Sequence, residues 1–220
     1  MQTKYDYAAF FDLDKTIFSV NSGELLVRQA YRQGLMGAKD ILKGLWYSVL
    51  YKLDFKETHR IIEDMAMWMA GLSETTVSGL SKEVFETQLI SSIRPRIIKE
   101  IEHHKQNNAE IVILSATLPP MGKLISEHLQ VTKCICSELE IRNDKYTGRA
   151  IGQFCFGDEK RVRLEQYCLE KEYNLDETYC YADAFSDASV LNVVGYPRCI
   201  QPEKKLRKIA RQNNWPVLDW

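Results

Sequence analysis

The chain has 220 residues, 45% of them hydrophobic and 27% charged, enough apolar material for one sizeable core with room for a smaller module. Its 29 basic and 30 acidic residues leave a net charge of -1, which excludes the broad positive field that draws a protein to nucleic acid or anionic lipid, so any anion site must be local. No uncharged apolar run reaches the length of a bilayer span, residues 1 to 8 lack the apolar centre of an export signal, and the six cysteines show no Cys-x-x-Cys spacing, so the sequence reads as a cytoplasmic chain without stable membrane insertion.

In chain order, residues 7 to 11 (YAAFF) form a short apolar run that stops at Asp12, the pattern of a strand buried on both faces. In FFDLDKTIF this strand gives way to Asp12 and Asp14, followed by Lys15 and Thr16. As the backbone leaves the sheet, Asp12 can face a ligand while Asp14 turns beside it, so two carboxylates and a carbonyl converge into the hard-oxygen set that suits Mg²⁺. Thr16 is expected to support this loop and Asp14. From about 19 to 92 the texture changes: helical patterns over 22–33, 38–53, 56–70 and 74–90 succeed one another with no strand between them. Gly34 can end the first, Asp54 can open the third, and Gly71 with Ser73 supplies a stop and an N-cap for the fourth. An all-helical insert at this point sits above the carboxyl end of the first strand, where open parallel sheets bind ligands. Packing between its helices accounts for apolar residues such as Trp46, Tyr47, Met67 and Trp68.

His103 and His104 fall in a polar run and are expected to be exposed. The second apolar run, 111 to 114, stops at Ser115 in LSATLPP. Thr117 is expected to cap a helix beginning at Pro119 or Pro120, and the turn's N–H groups with the Ser115 and Thr117 hydroxyls form an anion site. Residues 139 to 151 read as a β-hairpin around Asn143-Asp144 that extends one edge of the sheet. Lys160, at the start of a helix, can neutralise phosphate oxygens. The third run, 179 to 182, stops at Asp183, which can complete a cation site, and Asp187 can orient its waters or Lys160. The last basic cluster, Lys204, Lys205, Arg207, Lys208 and Arg211, interleaves Leu206, Ile209 and Ala210 and reads as a solvated helix face. The expected fold is α/β: a Rossmann-like parallel sheet with 1–18 plus 93–220 as the core and 19–92 as a helical cap.

These motifs, in this order, resemble those of the haloacid dehalogenase superfamily, in its phosphoserine-phosphatase-like branch. The Asp-x-Asp-x-Thr motif corresponds to Asp12 through Thr16, the strand-ending hydroxyl to Ser115, the lysine to Lys160, and the acidic pair to Asp183 and Asp187. The resemblance implies a phosphomonoester hydrolase in which Asp12 carries a phosphoaspartate, Asp14 is acid and then base, and Ser115 and Lys160 hold the phosphoryl oxygens. It also implies Mg²⁺ on the Asp12 carboxylate, the Asp14 carbonyl and Asp183. Phosphoserine phosphatases place a glutamate nine residues after the nucleophile and an arginine in the cap; here these positions fall on Asn21, with Glu24 off register, and near Met65, with Arg60 the nearest arginine. A small phosphorylated metabolite other than phosphoserine is therefore expected, or else a larger amphiphilic or lipid head-group phosphate. A non-hydrolytic phospho-acceptor regulator is the competing class, and Asp14 separates the two, because a switch needs no acid/base beside its acceptor. The sequence carries no signature of oligomeric state.

Overall fold

The computed structural model describes residues 5–37, 39, 40, 42 and 66–220. Its centre is a six-stranded, wholly parallel sheet. The strands are β1 (Tyr7–Phe11), β2 (Ala109–Leu114), β3 (Lys133–Ile135), β6 (Tyr179–Ala182), β7 (Tyr196–Ile200) and β8 (Val217–Leu218), in spatial order β3-β2-β1-β6-β7-β8. Because side chains alternate along a strand, the continuous apolar runs serve two cores at once. Ala9, Phe11, Ile111, Ile113 and Tyr181 face one, while Ala8, Phe10, Val112, Leu114 and Cys180 face the other. Each fully buried aromatic or aliphatic side chain of this kind contributes about 1.5–3 kcal/mol.

Helices cover both faces. On the first lie α1 (Ser22–Arg32), α2 (Glu74–Val84), α3 (Pro95–Gln106) and α4 (Pro119–Leu129); on the second lie α5 (Asp158–Lys171), α6 (Ala188–Leu191) and α7 (Lys204–Gln212). The sequence signals for helix ends hold at α1 and α2: Gly34 has a φ of 71°, Gly71 of 87°, and the Ser73 hydroxyl accepts from the Thr76 N–H. The pattern over 74–90 divides, since α2 stops at Val84 and a wider turn (Phe85–Leu89) and a 3-10 turn (Ile90–Ser92) follow. Most of the patterns at 38–53 and 56–70, with Trp46, Tyr47, Asp54, Arg60 and Met65, lies outside the described residues; the described end of the second is a 3-10 turn at Met67–Met69. Leu26, Ala30, Val77, Leu80 and Val84 of α1 and α2 share one apolar cluster with Met121 and Ile125 of α4, so these helices are packed on the sheet's covering layer. Two backbone bonds, Ser19 N–H to Ser92 O at 2.8 Å and Arg94 N–H to Ile17 O at 2.9 Å, tie the segments that enter and leave this helical region.

The hairpin forms where expected, with β4 (Leu139–Arg142) and β5 (Lys145–Ala150) joined through Asn143 and Asp144, both in the left-handed region at φ 51° and 61°. It does not extend the main sheet: it is a separate two-stranded sheet. Its free edge bonds instead to the segment before α2, through Gly71 N–H to Tyr146 O at 2.8 Å and Tyr146 N–H to Leu72 O at 2.9 Å. Gly148, at φ 81°, lets this contact close, for a Cβ there would stand 3.0 Å from Met67 Sδ.

His104 is buried, contrary to the reading of its polar neighbourhood, whereas His103 is exposed. His104 is the helix position of α3 that faces the sheet, and two tyrosines there satisfy the ring: Tyr7 Oη at 2.8 Å from Nδ1 and Tyr181 Oη at 2.9 Å from Nε2. Tyr181 donates its proton to Glu100 Oε2 at 3.0 Å, so it must accept from Nε2–H, and Nδ1 accepts from Tyr7. Burial first, then the charges of His103 and Arg198, lower the His104 pKa from 6.5 to about 4. Its neutral form thus supports the fold above pH 6.5, and that contribution is lost as pH falls towards 4. In an NMR titration the His104 imidazole is expected to stay neutral at about pH 5.5, where an ordinary histidine is largely charged; protonation near the ordinary value would contradict the network.

Candidate active site

In this strand order the chain moves outward from β1 through β2 to β3 and later crosses back to β6 on the other side of β1, a reversal that opens a crevice beyond the carboxyl ends of β1 and β6. Asp12 follows β1 and Asp183 follows β6, and the Asp12 N–H donates to Tyr181 O at 2.9 Å, continuing the ladder one residue past the strand. Both carboxylates therefore emerge at the crevice. Asp187 enters from the 3-10 turn Phe185–Asp187. Carboxylate oxygens of Asp12, Asp183 and Asp187, all buried, lie within 4.8 Å of one another.

Lys160 reaches this cluster from the third position of α5. That helix begins at Gly157, whose φ of 58° and ψ of -130° belong to a region essentially restricted to glycine. Lys160 is only 4% exposed, and its ammonium donates to Asp12 Oδ1 at 2.7 Å. It also stands 2.9 Å from Asp187 Oδ1, but off the hydrogen-bonding direction, so that buried oxygen is left without a hydrogen bond. Burial raises the Asp12 carboxyl to about 7 despite the attraction of Lys160. Burial, then the charges of Asp12 and Asp187, raise Asp183 to about 8. Lys160 is itself raised well above its ordinary value, because the two carboxylates beside it outweigh its desolvation. Three buried carboxylates against one contacting lysine, with an oxygen left unbonded, form a site that could hold a metal ion.

The remaining site positions separate into those at the crevice and those used elsewhere. Asp14 lies in the loop after β1, half-buried, with Oδ1 accepting from the Ser22 N–H at 2.8 Å. Thr16 does not support Asp14 as expected: its hydroxyl points to Asp183 Oδ1 at 3.4 Å. Ser115 ends β2 beside the Asp12 strand tip, buried, with its N–H donating to Ile135 O at 3.0 Å and its hydroxyl accepting from the Thr117 N–H at 3.3 Å. Thr117 is not the helix cap. Leu118 occupies that position without a side-chain hydrogen bond, since two prolines at the start of α4 remove N–H groups that a threonine would cap. Asn21 is the N-cap of α1, its Oδ1 accepting from the Glu24 N–H at 2.8 Å, and Glu24 pairs along the helix with Arg28 at 2.5 Å. Arg60 and Met65 lie outside the described residues. Sequence reasoning missed Ser22, which is a helix start with no chemical signature of its own.

A parallel sheet with an acidic crevice at its topological switch and a buried lysine beside it places the protein among α/β proteins whose ligand site lies at the strand ends. Residues 9–192 match the haloacid dehalogenase-like hydrolase family, and the chain belongs to it. A probable phosphatase of Mycobacterium tuberculosis is 26% identical over 97% of this chain and 75% of its own length. A histidinol-phosphatase of Neisseria meningitidis is 24% identical over 96% of this chain and 98% of its own. Among solved structures, a protein of unknown function from Bordetella pertussis Tohama I superposes with a TM-score of 0.88 at 24% identity, covering 98% of this chain and 99% of that one. A substrate-bound phosphoserine phosphatase gives 0.73 at 16% identity, covering 100% of this chain and 95% of that one, a likeness of fold.

Proposed function

We propose that this protein is a Mg²⁺-dependent phosphomonoester hydrolase working through a phosphoaspartate on Asp12. The observation that carries the reading is the meeting of Asp12, Lys160, Asp183 and Asp187 at one strand-end crevice, in a chain of this hydrolase family. Asp12 attacks phosphorus in line, and Asp14 gives a proton to the departing oxygen; Asp14 then takes a proton from the water that releases phosphate from Asp12. Lys160 and Ser115, with Thr117 at the edge of the same turn, hold phosphoryl oxygens as charge moves onto them. Asp12, Asp183 and the Asp14 carbonyl would hold the cation, with Asp187 steadying Lys160 and Thr16 steadying Asp183. When bound, Mg²⁺ neutralises charge so that an anionic carboxylate can approach an anionic ester.

The insert from 19 to 92, whose described helices are α1 and α2, is assigned the role of the cap. The Asn21 side chain is engaged in capping α1, and Glu24 pairs with Arg28, so neither supplies a dedicated carboxylate for a substrate ammonium. This favours a small phosphate monoester other than phosphoserine, and the relatives make histidinol phosphate the first compound to compare with it. The six cysteines are free thiols, the state expected of the proposed cytoplasmic enzyme. No described helix is long and apolar enough to cross a membrane. The test is a panel of phosphoserine, histidinol phosphate, sugar and polyol phosphates, nucleotides and lipid head-group phosphates, assayed with Mg²⁺ against an Asp12→Asn control. Hydrolysis of none of them above the control would defeat the reading, and a preference for phosphoserine would overturn its substrate part.

The raised carboxyls set the pH dependence of cation binding. A carboxyl raised in the folded state favours the fold at low pH, and that contribution is lost as pH climbs from 3.8 through about 8 for Asp183. Mg²⁺ must displace those protons, so its stabilisation grows over the same range. The gain in melting temperature on adding Mg²⁺ is expected to be larger at about pH 8.5 than at about pH 5.5; an equal or larger gain at the lower pH would contradict this assignment.

A further inference from the structure

Asp14 stands apart from the carboxylates around Lys160. Its Oδ1 accepts a 2.8 Å hydrogen bond from the main-chain N–H of Ser22, eight residues on. Ser22 is the first residue of α1, after the Asn21 N-cap. The first N–H groups of a helix have no acceptor within it, so this one is available to an outside partner. The loop is shaped to deliver it: Lys15 takes a left-handed φ of 57°, and its N–H closes onto Val20 O at 3.1 Å, bringing the start of α1 back over Asp14. The Ser22 side chain is buried and its hydroxyl also hydrogen-bonds to the same carboxylate, both Ser22 contacts opposing the rise that burial gives the Asp14 pKa.

We infer that Ser22, through its main-chain N–H, is a positioning residue that fixes the rotation of Asp14 and presents the second carboxyl oxygen to the leaving group. The inference rests on the proposed phosphatase reading. In the first step the bond from Asp12 to phosphorus forms, the ester O–P bond breaks, and a proton passes from Asp14 to the departing oxygen, releasing an alcohol. A basic alkoxide needs that proton, whereas a weakly basic nitrophenolate leaves without it. Misplacing Asp14 therefore penalises alkyl esters selectively. The quantity to compare is kcat/KM, which reports the reaction only through phosphoenzyme formation.

Ser22→Pro removes the N–H at the helix position where proline is best accepted, and Asn21 already has the extended conformation (φ -97°, ψ 117°) required before proline. Ser22→Ala removes the hydroxyl with its hydrogen bond to Asp14 and keeps the N–H, so it separates the two contacts. With Mg²⁺, Ser22→Pro is expected to lose roughly 10- to 100-fold in kcat/KM on glycerol 2-phosphate and less than about threefold on p-nitrophenyl phosphate, while Ser22→Ala keeps the wild-type ratio of the two. Should proline unfold the protein, as circular dichroism would show, replacing the amide between residues 21 and 22 by an ester deletes the same N–H without added bulk. An unchanged alkyl-to-aryl ratio in a folded variant lacking the N–H, or an equal loss on both substrates, overturns the inference. Asp12→Asn and Asp14→Asn are run alongside. If Asp12→Asn remains active, or Asp14→Asn leaves the ratio unchanged, the phosphatase reading itself fails; if both behave as that reading requires, a wild-type ratio without the N–H rejects the role of Ser22 alone.

Discussion

Asp12→Asn is expected to reduce hydrolysis of p-nitrophenyl phosphate by roughly 10⁴-fold or more while leaving the fold intact. The substitution keeps the shape of the side chain and removes the carboxylate proposed as the nucleophile. Structure should survive, because Lys160 retains Asp187 at 2.9 Å and the backbone bond from residue 12 to Tyr181 O does not involve the side chain. Losing one of three crowded buried carboxylates also relieves repulsion that raises Asp183. Steady-state assays with Mg²⁺, paired with thermal melts, check both halves. Activity within tenfold of wild type would remove Asp12 as the nucleophile.

Lys160→Met should produce the largest loss of stability among the site substitutions. It removes the ammonium in contact with Asp12 and Asp187 while keeping most of the apolar stem, and it leaves the carboxylates buried without that partner. Breaking a buried pair from one side costs about 3–5 kcal/mol, part of which is recovered if the carboxyls take up protons. Catalysis should fall by about 10²–10³-fold as well, since charge developing on the phosphoryl oxygens loses its preorganised counterpart. Added Mg²⁺ should restore some of the lost stability by supplying positive charge to the same cluster, and little of the activity. Urea unfolding with and without Mg²⁺ measures the first effect. A variant as stable as wild type in the absence of Mg²⁺ would show that the lysine is not what balances these acids.

The readability of this chain follows burial. Strands β1, β2 and β6 announce themselves because both their faces are covered, leaving no polar alternation to blur the run, and each stops at a residue that the crevice uses: Asp12, Ser115 and Asp183. Strands β3 and β8 are too short for a periodic signal, and β7 carries Pro197, which ordinarily argues against an interior strand. The ladder tolerates it for a local reason. Tyr196 N–H points towards β6 and Cys199 N–H towards β8, so the missing N–H of Pro197 falls on the β8 side, beyond the reach of a partner strand that pairs only with Cys199 and Ile200.

The hairpin at Asn143-Asp144 was legible as a local turn, but its partner was not, since edge pairing depends on which backbone arrives nearby. His104 was misread because a polar local sequence says nothing of tyrosines 97 and 77 residues away that satisfy both ring nitrogens. The same limit explains Thr16: loop chemistry placed it near the acids, and only the neighbouring strand tip decided that its hydroxyl faces Asp183. Within the site, residue types that chemistry demands were visible in advance, whereas the main-chain N–H of Ser22 carries no side-chain signature.

The central claim is that Asp12 accepts the phosphoryl group, and acid-quenched mass spectrometry tests it most directly. After brief mixing with p-nitrophenyl phosphate and Mg²⁺, the intact protein should gain the mass of one acid-stable phosphoryl group that hydroxylamine removes, and the modified peptide should be the one containing Asp12. A phosphoryl adduct on another residue, or hydrolysis that proceeds undiminished in Asp12→Asn with no adduct at any quench time, would contradict the account.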